Sequence, residues 1–238
     1  MAEKKSWKKN VMFNRQKGST NPPLWPNEFM IKNFSSTAYS DVLNHINQKK
    51  KEIGNRNFRI LEIGCFSANN LRFFHEKGLE IYGVEVTEDL CNVAKESLIS
   101  LGIKDGNIKL GDNENLPFKN DFFDCIISIN TIHYSAGKNI EIAFREWNRV
   151  LNDGAVVYLE TVGPSHFVRQ QSKKIGNLSY IWGYQDFRAD QEFGFFDNEE
   201  HLNSELRKYF NDIGTGRRLE KFTFQTLDFL IGHGRVQK

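Results

Sequence analysis

The chain has 238 residues, 39% hydrophobic and 26% charged, with a formal net charge of +2. That length suits one α/β domain with a modest elaboration, and the near balance of charge argues against a face devoted to a nucleic-acid backbone. No apolar run reaches the roughly 18–20 residues of a membrane-spanning helix, and the three cysteines, Cys65, Cys91 and Cys125, lack metal-ligand spacing and fit a reducing, cytoplasmic setting.

Residues 1–20 are lysine-rich and polar and have no following apolar stretch, so they read as a tail rather than a signal peptide. Asn21–Glu28 carries three prolines around Trp25 and is expected to lie extended before a helix over about 37–50, capped at Ser35 or Ser36. Residues 1–57 are thus set apart as a tail and covering segment, with the main domain over 58–238.

From residue 58 an alternation begins. Phe58–Ile63 reads as a strand and Ala68–Lys77 as a helix, followed by a second strand, Glu80–Val86. Glu88–Leu101 is expected to be a helix with Leu90, Val93, Ala94, Leu98 and Leu101 inward. Asn107–Leu110 and Phe122–Ile129 are the next strands, the latter apolar on both faces as a central parallel strand should be. A helix over about 139–151 buries Ile140, Ala143, Phe144, Trp147, Val150 and Leu151, and Asp153-Gly154 turns the chain into a fifth strand, Ala155–Thr161. Strands alternating with amphipathic helices imply a Rossmann-like, doubly wound parallel sheet. Residues 162–196 keep no period and read as an insertion, a candidate lid. A helix over 198–210, capped by Asp197, then precedes two strands, about 213–222 and 224–232.

Ligands of an open parallel sheet bind beyond the carboxyl ends of its strands, and three signals fall there. Glu62-Ile-Gly64-Cys65-Phe66-Ser-Ala68-Asn-Asn70 is a turn into a helix whose glycine permits close backbone approach. Glu85, followed by Val86, ends the second strand and is placed to accept from both hydroxyls of a ribose. Asp112-Asn113-Glu114 follows the third strand, where Asp112 can accept from an adenine amine. Each alone is also explained as a turn or cap. Their succession at strand ends is more specific.

The stretches ILEIGCFSANNL, YGVEVTEDLCNVAKE, GDNENLPFKNDFFDCIISINTIHY and REWNRVLNDGAVVYLE resemble the ordered motifs of class I S-adenosylmethionine-dependent methyltransferases, of the type 11 group, over about residues 58–161. The resemblance implies a seven-stranded sheet ending in an antiparallel hairpin and S-adenosyl-L-methionine as cofactor. It implies Gly64 and its neighbours beside the methionine part, Glu85 on the ribose, Asp112 and Asn113 on the adenine, and Asn130 at the methyl end. The family has glycines where this chain has Phe66 and Ala68; Ala68 is a mild change at a helix start, whereas the larger Phe66 is expected to reshape the pocket wall or cover the cofactor. The departure also disfavours a dinucleotide, whose pyrophosphate needs those glycines.

For the transfer itself, His133 after the fourth strand is the first candidate base, with Tyr134 beside it and Glu160 at the end of the fifth strand as another pocket group. Each has a plain packing role as its alternative. Trp25, Tyr39, Arg169, Trp182, Tyr184 and Arg188 are candidate acceptor contacts, aromatic and cationic groups suited to an anionic or sugar-nucleotide acceptor. The expected function is methyl transfer to a small molecule, with sugars among the candidates. RNA or protein methylation and a non-catalytic cofactor-binding partner are the alternatives.

Overall fold

The computed structural model describes residues 36–52, 57–104, 107–184, 189–223 and 226–238. Trp25, Arg188 and most of the 1–57 segment lie outside the described residues, as does the side chain of Tyr39.

Helix α1 (Ser36–Glu52) precedes β1 (Arg59–Ile63), α2 (Asn69–Glu76), β2 (Glu80–Glu85), α3 (Glu88–Ser100), β3 (Ile108–Leu110), β4 (Phe123–Ile129), α4 (Gly137–Val150) and β5 (Leu151–Val162). Those five strands pair in parallel. The chain ends in an antiparallel hairpin, β9 (Asn211–Lys221) and β10 (Thr226–Arg235), with β10 against β5. The sheet order is β3-β2-β1-β4-β5-β10-β9, the expected seven strands with a C-terminal hairpin. Strand order reverses between β1 and β4, and the crevice of a doubly wound sheet opens there.

Side chains alternate across each strand, and the two faces carry separate cores. Ile60, Ile81, Cys125, Ile127, Val156 and Tyr158 pack with Ile46 of α1, Leu71 and Phe74 of α2 and Ala94 and Leu98 of α3. Leu61, Ile63, Ile126, Val157, Leu159 and Leu230 pack on the opposite face with Ile140, Ala143, Phe144, Trp147 and Val150 of α4. The expected inward face of α4 is the observed one. That of α3 is rotated: Val93 and Leu101 are exposed, and Cys91, Ala94 and Leu98 are buried.

Residues 162–196 are not irregular. They form α5 (Phe167–Gln170) and an antiparallel three-stranded sheet, β6 (Ser172–Lys174), β7 (Ser179–Trp182) and β8 (Glu192–Gly194). The strands are too short to show a period, and so the sequence conceals them. Helix α6 (Glu199–Leu206) is capped by Asn198, whose side chain accepts from the His201 amide at 2.8 Å. Asp197, the expected cap, instead binds Arg169 at 2.7 Å. The fifth strand also begins earlier than expected, because Gly154, at φ 66°, sits inside it rather than ending a turn before it.

Candidate functional site

The turn after β1 is built on left-handed backbone. Gly64 has φ 71°, Phe66 43° and Ala68 57°. Only glycine adopts this region freely, and each side-chain-bearing residue there costs about 1–2 kcal/mol. A Cβ at Gly64 would also collide with Thr131, so the loop after β4 lies directly against this turn. Ala68 forms the N-cap of α2 with no side-chain hydrogen bond, leaving the first amides of that helix facing the turn.

Glu85 holds this strained turn. Its carboxylate accepts from the Phe66 amide at 2.6 Å and from its own neighbour Val86 at 3.3 Å. Glu62 lies deeper and accepts from the Asn70 side chain, while its second oxygen is buried without a partner. Glu62 and Gly83 are register partners on β1 and β2, so Glu62 and Glu85 share the sheet face covered by α1–α3. Among the described residues neither forms an ion pair with a lysine or arginine. Burial pushes Glu62 up to about 8, with the Glu85 charge adding to it, and burial likewise raises Glu85 against the pull of its backbone donors. Cys65 and Cys91 are buried beside these acids, and burial holds both thiols protonated. Two desolvated carboxylates with no cation make a site that gains free energy from a cationic ligand.

At the third strand end the residues expected beside the adenine also make hydrogen bonds of their own. Asp112 accepts from the Glu114 amide at 3.0 Å, shaping the turn. Asn113 faces the core: its carbonyl accepts from Trp147 Nε1 at 3.2 Å and its amide reaches Ser135 at 3.4 Å. Its side chain is thereby committed to packing, and the half-buried Asp112 and Glu114 lie nearer the surface. Asn130, left-handed and exposed at the end of β4, donates its amide to the carbonyl of Glu160 at 2.8 Å.

Beyond β4, a short 3-10 turn, Ile132–Tyr134, carries His133 under the three-stranded sheet. The His133 ring is 5% exposed, stacked near Phe193 and Phe195 with centroids 6.2 and 6.3 Å away, and its Nδ1 has no partner. Burial lowers it to about 3, keeping it neutral. Tyr134 lies over the same rings but is 40% exposed. Trp182 is buried with Val162, Tyr180, Phe193 and Phe195, while Tyr184 reaches the surface beside it. Arg169 is bound within the cap. Its guanidinium is spent on Asp197, the Phe196 carbonyl and the Tyr180 hydroxyl, where it ties α5 to the strands of the cap.

Glu160 is 4% exposed and paired with Arg218 of β9 at 2.7 Å. Neither Arg218 nor its neighbour Arg217 is singled out by any sequence motif. They are consecutive on β9 and so address opposite faces. Arg217 binds the fully buried Asp228 through two contacts of 2.7 and 2.8 Å, and Asp228 also accepts from the Ser165 amide at 2.6 Å. This latch fixes the chain where it enters the cap, and Gly163 is required there because a Cβ would stand 2.6 Å from the Asp228 carboxyl carbon. A sequence signal existed in Arg217-Arg218 on an otherwise amphipathic strand, but its partners are set only by the hairpin register.

Residues 61–159 match the family model described as a methyltransferase domain. The chain is 27% identical over 164 residues to a malonyl-[acyl-carrier protein] O-methyltransferase of Legionella pneumophila, covering 60% of this chain and 54% of that one. It is 27% identical over 178 residues to an uncharacterized methyltransferase of Anoxybacillus flavithermus, covering 74% and 70%. The chain thus spans about half the length of the first of these relatives. A solved S-adenosylmethionine-dependent methyltransferase from Methanosarcina mazei superimposes with a TM-score of 0.58 at 18% identity, over 79% of this chain and 97% of that one, a likeness of fold. Strand order and motif order agree: residues 61–159 form a methyltransferase domain similar to those of the class I S-adenosylmethionine-dependent methyltransferases, whose cofactor is S-adenosyl-L-methionine.

Proposed function

We propose that this chain transfers the methyl group of S-adenosylmethionine to a small-molecule acceptor, with sugars and sugar nucleotides the first classes to try. The observation that carries the donor half is the pair of buried acids, Glu62 and Glu85, which have no lysine or arginine partner among the described residues. The cofactor supplies an electrophilic methyl group on a positively charged sulfur. Glu85, at the end of β2, would take the ribose hydroxyls. Gly64, Cys65 and the backbone of Phe66 would border the methionine part, with Glu62 and Asn70 behind them. Val86, Asp112 and Glu114 are left to border the adenine, and Asn130 the methyl end.

The small-acceptor reading is supported by the cap. An extra sheet of aromatic side chains folds over the loop after β4 and buries His133, which favours a closed pocket over an open macromolecular groove. The Legionella relative is named an O-methyltransferase, which favours an oxygen acceptor here as well. Tyr134, Trp182 and Tyr184 are the acceptor-side rings in this reading.

Two measurements test it. Calorimetry should show S-adenosylmethionine and its demethylated product binding to the native chain, and absence of both would remove the donor assignment. A radiolabelled transfer screen over sugars, sugar nucleotides, small amines, protein and RNA should then give counts in the small-molecule arms. Counts confined to RNA or protein would replace the acceptor class, and cofactor binding with no transfer would make the chain a binding partner.

A further inference from the structure

The sheet register places Glu160 in an unexpected relation to the donor site. Ile63 pairs with Val84 and Ile129 with Glu160, so Glu85, Gly64, Ile129 and Glu160 form one row across β2, β1, β4 and β5. Glu85 and Glu160 are then three strand spacings apart, about 14 Å between backbones. Alternation puts the Glu160 side chain on the face of Tyr158, Ile127 and Glu62, the face covered by α1–α3. His133 packs elsewhere, among the cap rings.

Arg218 reaches Glu160 from β9 over the ring of Phe229 on the intervening strand, its guanidinium carbon 4.5 Å from the ring centroid. It also pairs with Glu220, and its Nε is buried without a partner. The charged or titratable groups facing Glu160 among the described residues are Arg218 and Glu220 of β9 and Tyr158 of its own strand. β4 and β10 present Ile129 and Ile231 in its row.

Resting on the donor reading above, we propose that Glu160 is the proton acceptor for a hydroxyl-bearing methyl acceptor, and that Arg218 is a positioning residue that keeps the Glu160 carboxylate ionised and fixed at the end of β5. In the step, the acceptor O–H bond breaks and its proton passes to a Glu160 oxygen. The oxygen's electron pair forms the new bond to the methyl carbon, and the pair of the broken carbon–sulfur bond stays on sulfur. Burial lifts Glu62, which has no such partner among the described residues, to about 8, and a protonated carboxyl cannot take a proton. With Arg218 beside it, burial still lifts Glu160 above the ordinary carboxylate range, which makes it a stronger base than a surface acid.

The test begins with the carboxyl-carbon NMR titration of Glu160 in the native chain, in R218M and in R218K. R218M should raise the midpoint by about one unit or more, and R218K should return most of it. Calorimetric affinity for S-adenosylmethionine should stay within about twofold in both variants. Transfer to a panel of methyl glycosides and phenols should show an acidic limb that tracks the Glu160 midpoint in all three proteins. E160Q should lose about 100-fold in turnover, with E160D as the milder variant should E160Q fail to fold. An unmoved midpoint in R218M, an acidic limb that ignores it, or transfer absent from every hydroxyl acceptor or confined to amines or carboxylates overturns the proposal. Loss of cofactor binding by the native chain would instead strike the donor reading.

Discussion

The two halves of the sheet's carboxyl edge treat buried acids in opposite ways. At the ends of β1 and β2, Glu62 and Glu85 lie buried with only amide donors. Across β5, β9 and β10, each buried acid has its arginine: Glu160 with Arg218 and Asp228 with Arg217. A buried carboxylate without a cation stores a desolvation cost that a positive ligand relieves, whereas a paired one is already satisfied. In the proposed reading the first half, which has no lysine or arginine partner among the described residues, receives a cation, and the second holds its own shape and charge. Overall folding stability does not require the first arrangement; binding does.

The turn after β1 carries the largest expected effect. In Gly64→Val, positive φ costs about 1–2 kcal/mol and overpacking against Thr131 about 1–3 more. The variant should therefore lose about 2–5 kcal/mol by urea denaturation, and a loss under about 1 kcal/mol would mean that the loop after β4 yields easily. Next comes Glu85→Ala, which removes the acceptor from the Phe66 amide and from the proposed ribose contact. Cofactor affinity measured by calorimetry should drop roughly 100-fold, as expected for about 3 kcal/mol of charge-assisted hydrogen bonding. An unchanged affinity would move the ribose away from β2.

Much of the first half was legible in the chain, and much of the second was not. The strand ends bearing Glu62, Gly64 and Glu85 follow from local apolar runs closed by an acid or a glycine, a pattern that one strand and its own turn specify. Asn113 has a long-range partner that no local pattern discloses. Its position after β3 invites an adenine contact, but Trp147, 34 residues later, claims its side-chain oxygen. Arg169 likewise stands among aromatic residues as a candidate anion contact, and the cap strands bring Asp197 and Tyr180 to it. Glu160 was visible as a strand-end acid, while its charge state depends on Arg218, 58 residues away and two strands over. Long-range pairing of this kind rests on hairpin register, which no local pattern of residues 211–235 discloses.

Buried acids and buried histidines shift stability with pH in opposite directions. Glu62 is raised from an ordinary 4.5 to about 8, so the folded state holds a proton that the unfolded chain releases. Its contribution is fully present below about 4.5 and is lost as pH rises through 8. Thermal unfolding followed from pH 5 to 8 should show this as a decline that Glu62→Gln flattens, since the amide mimics the protonated acid. If the variant keeps the native slope, Glu62 is ionised in the free protein and the turn has a counter-charge. Saturating S-adenosylmethionine should flatten the native slope too, by favouring the ionised form.

His133 supplies the opposing limb and the smallest expected change. Its folded value of about 3 lies below the ordinary 6.5, so the unfolded chain takes up the proton first. The stability it contributes is present above about 6.5 and is lost as pH falls toward 3. His166, lowered to about 4 by burial at the start of α5, adds to the same limb. His133→Phe should remove part of that acid loss while leaving stability at pH 8 within about 1 kcal/mol, because the ring keeps its place beside Phe193 and Phe195 and a buried, unpartnered nitrogen disappears. Turnover should also persist in this variant, since the proton acceptor proposed above is Glu160. A folded His133→Phe that binds cofactor and transfers no methyl group would return the base to the cap side of the sheet and leave Glu160 with a purely electrostatic part.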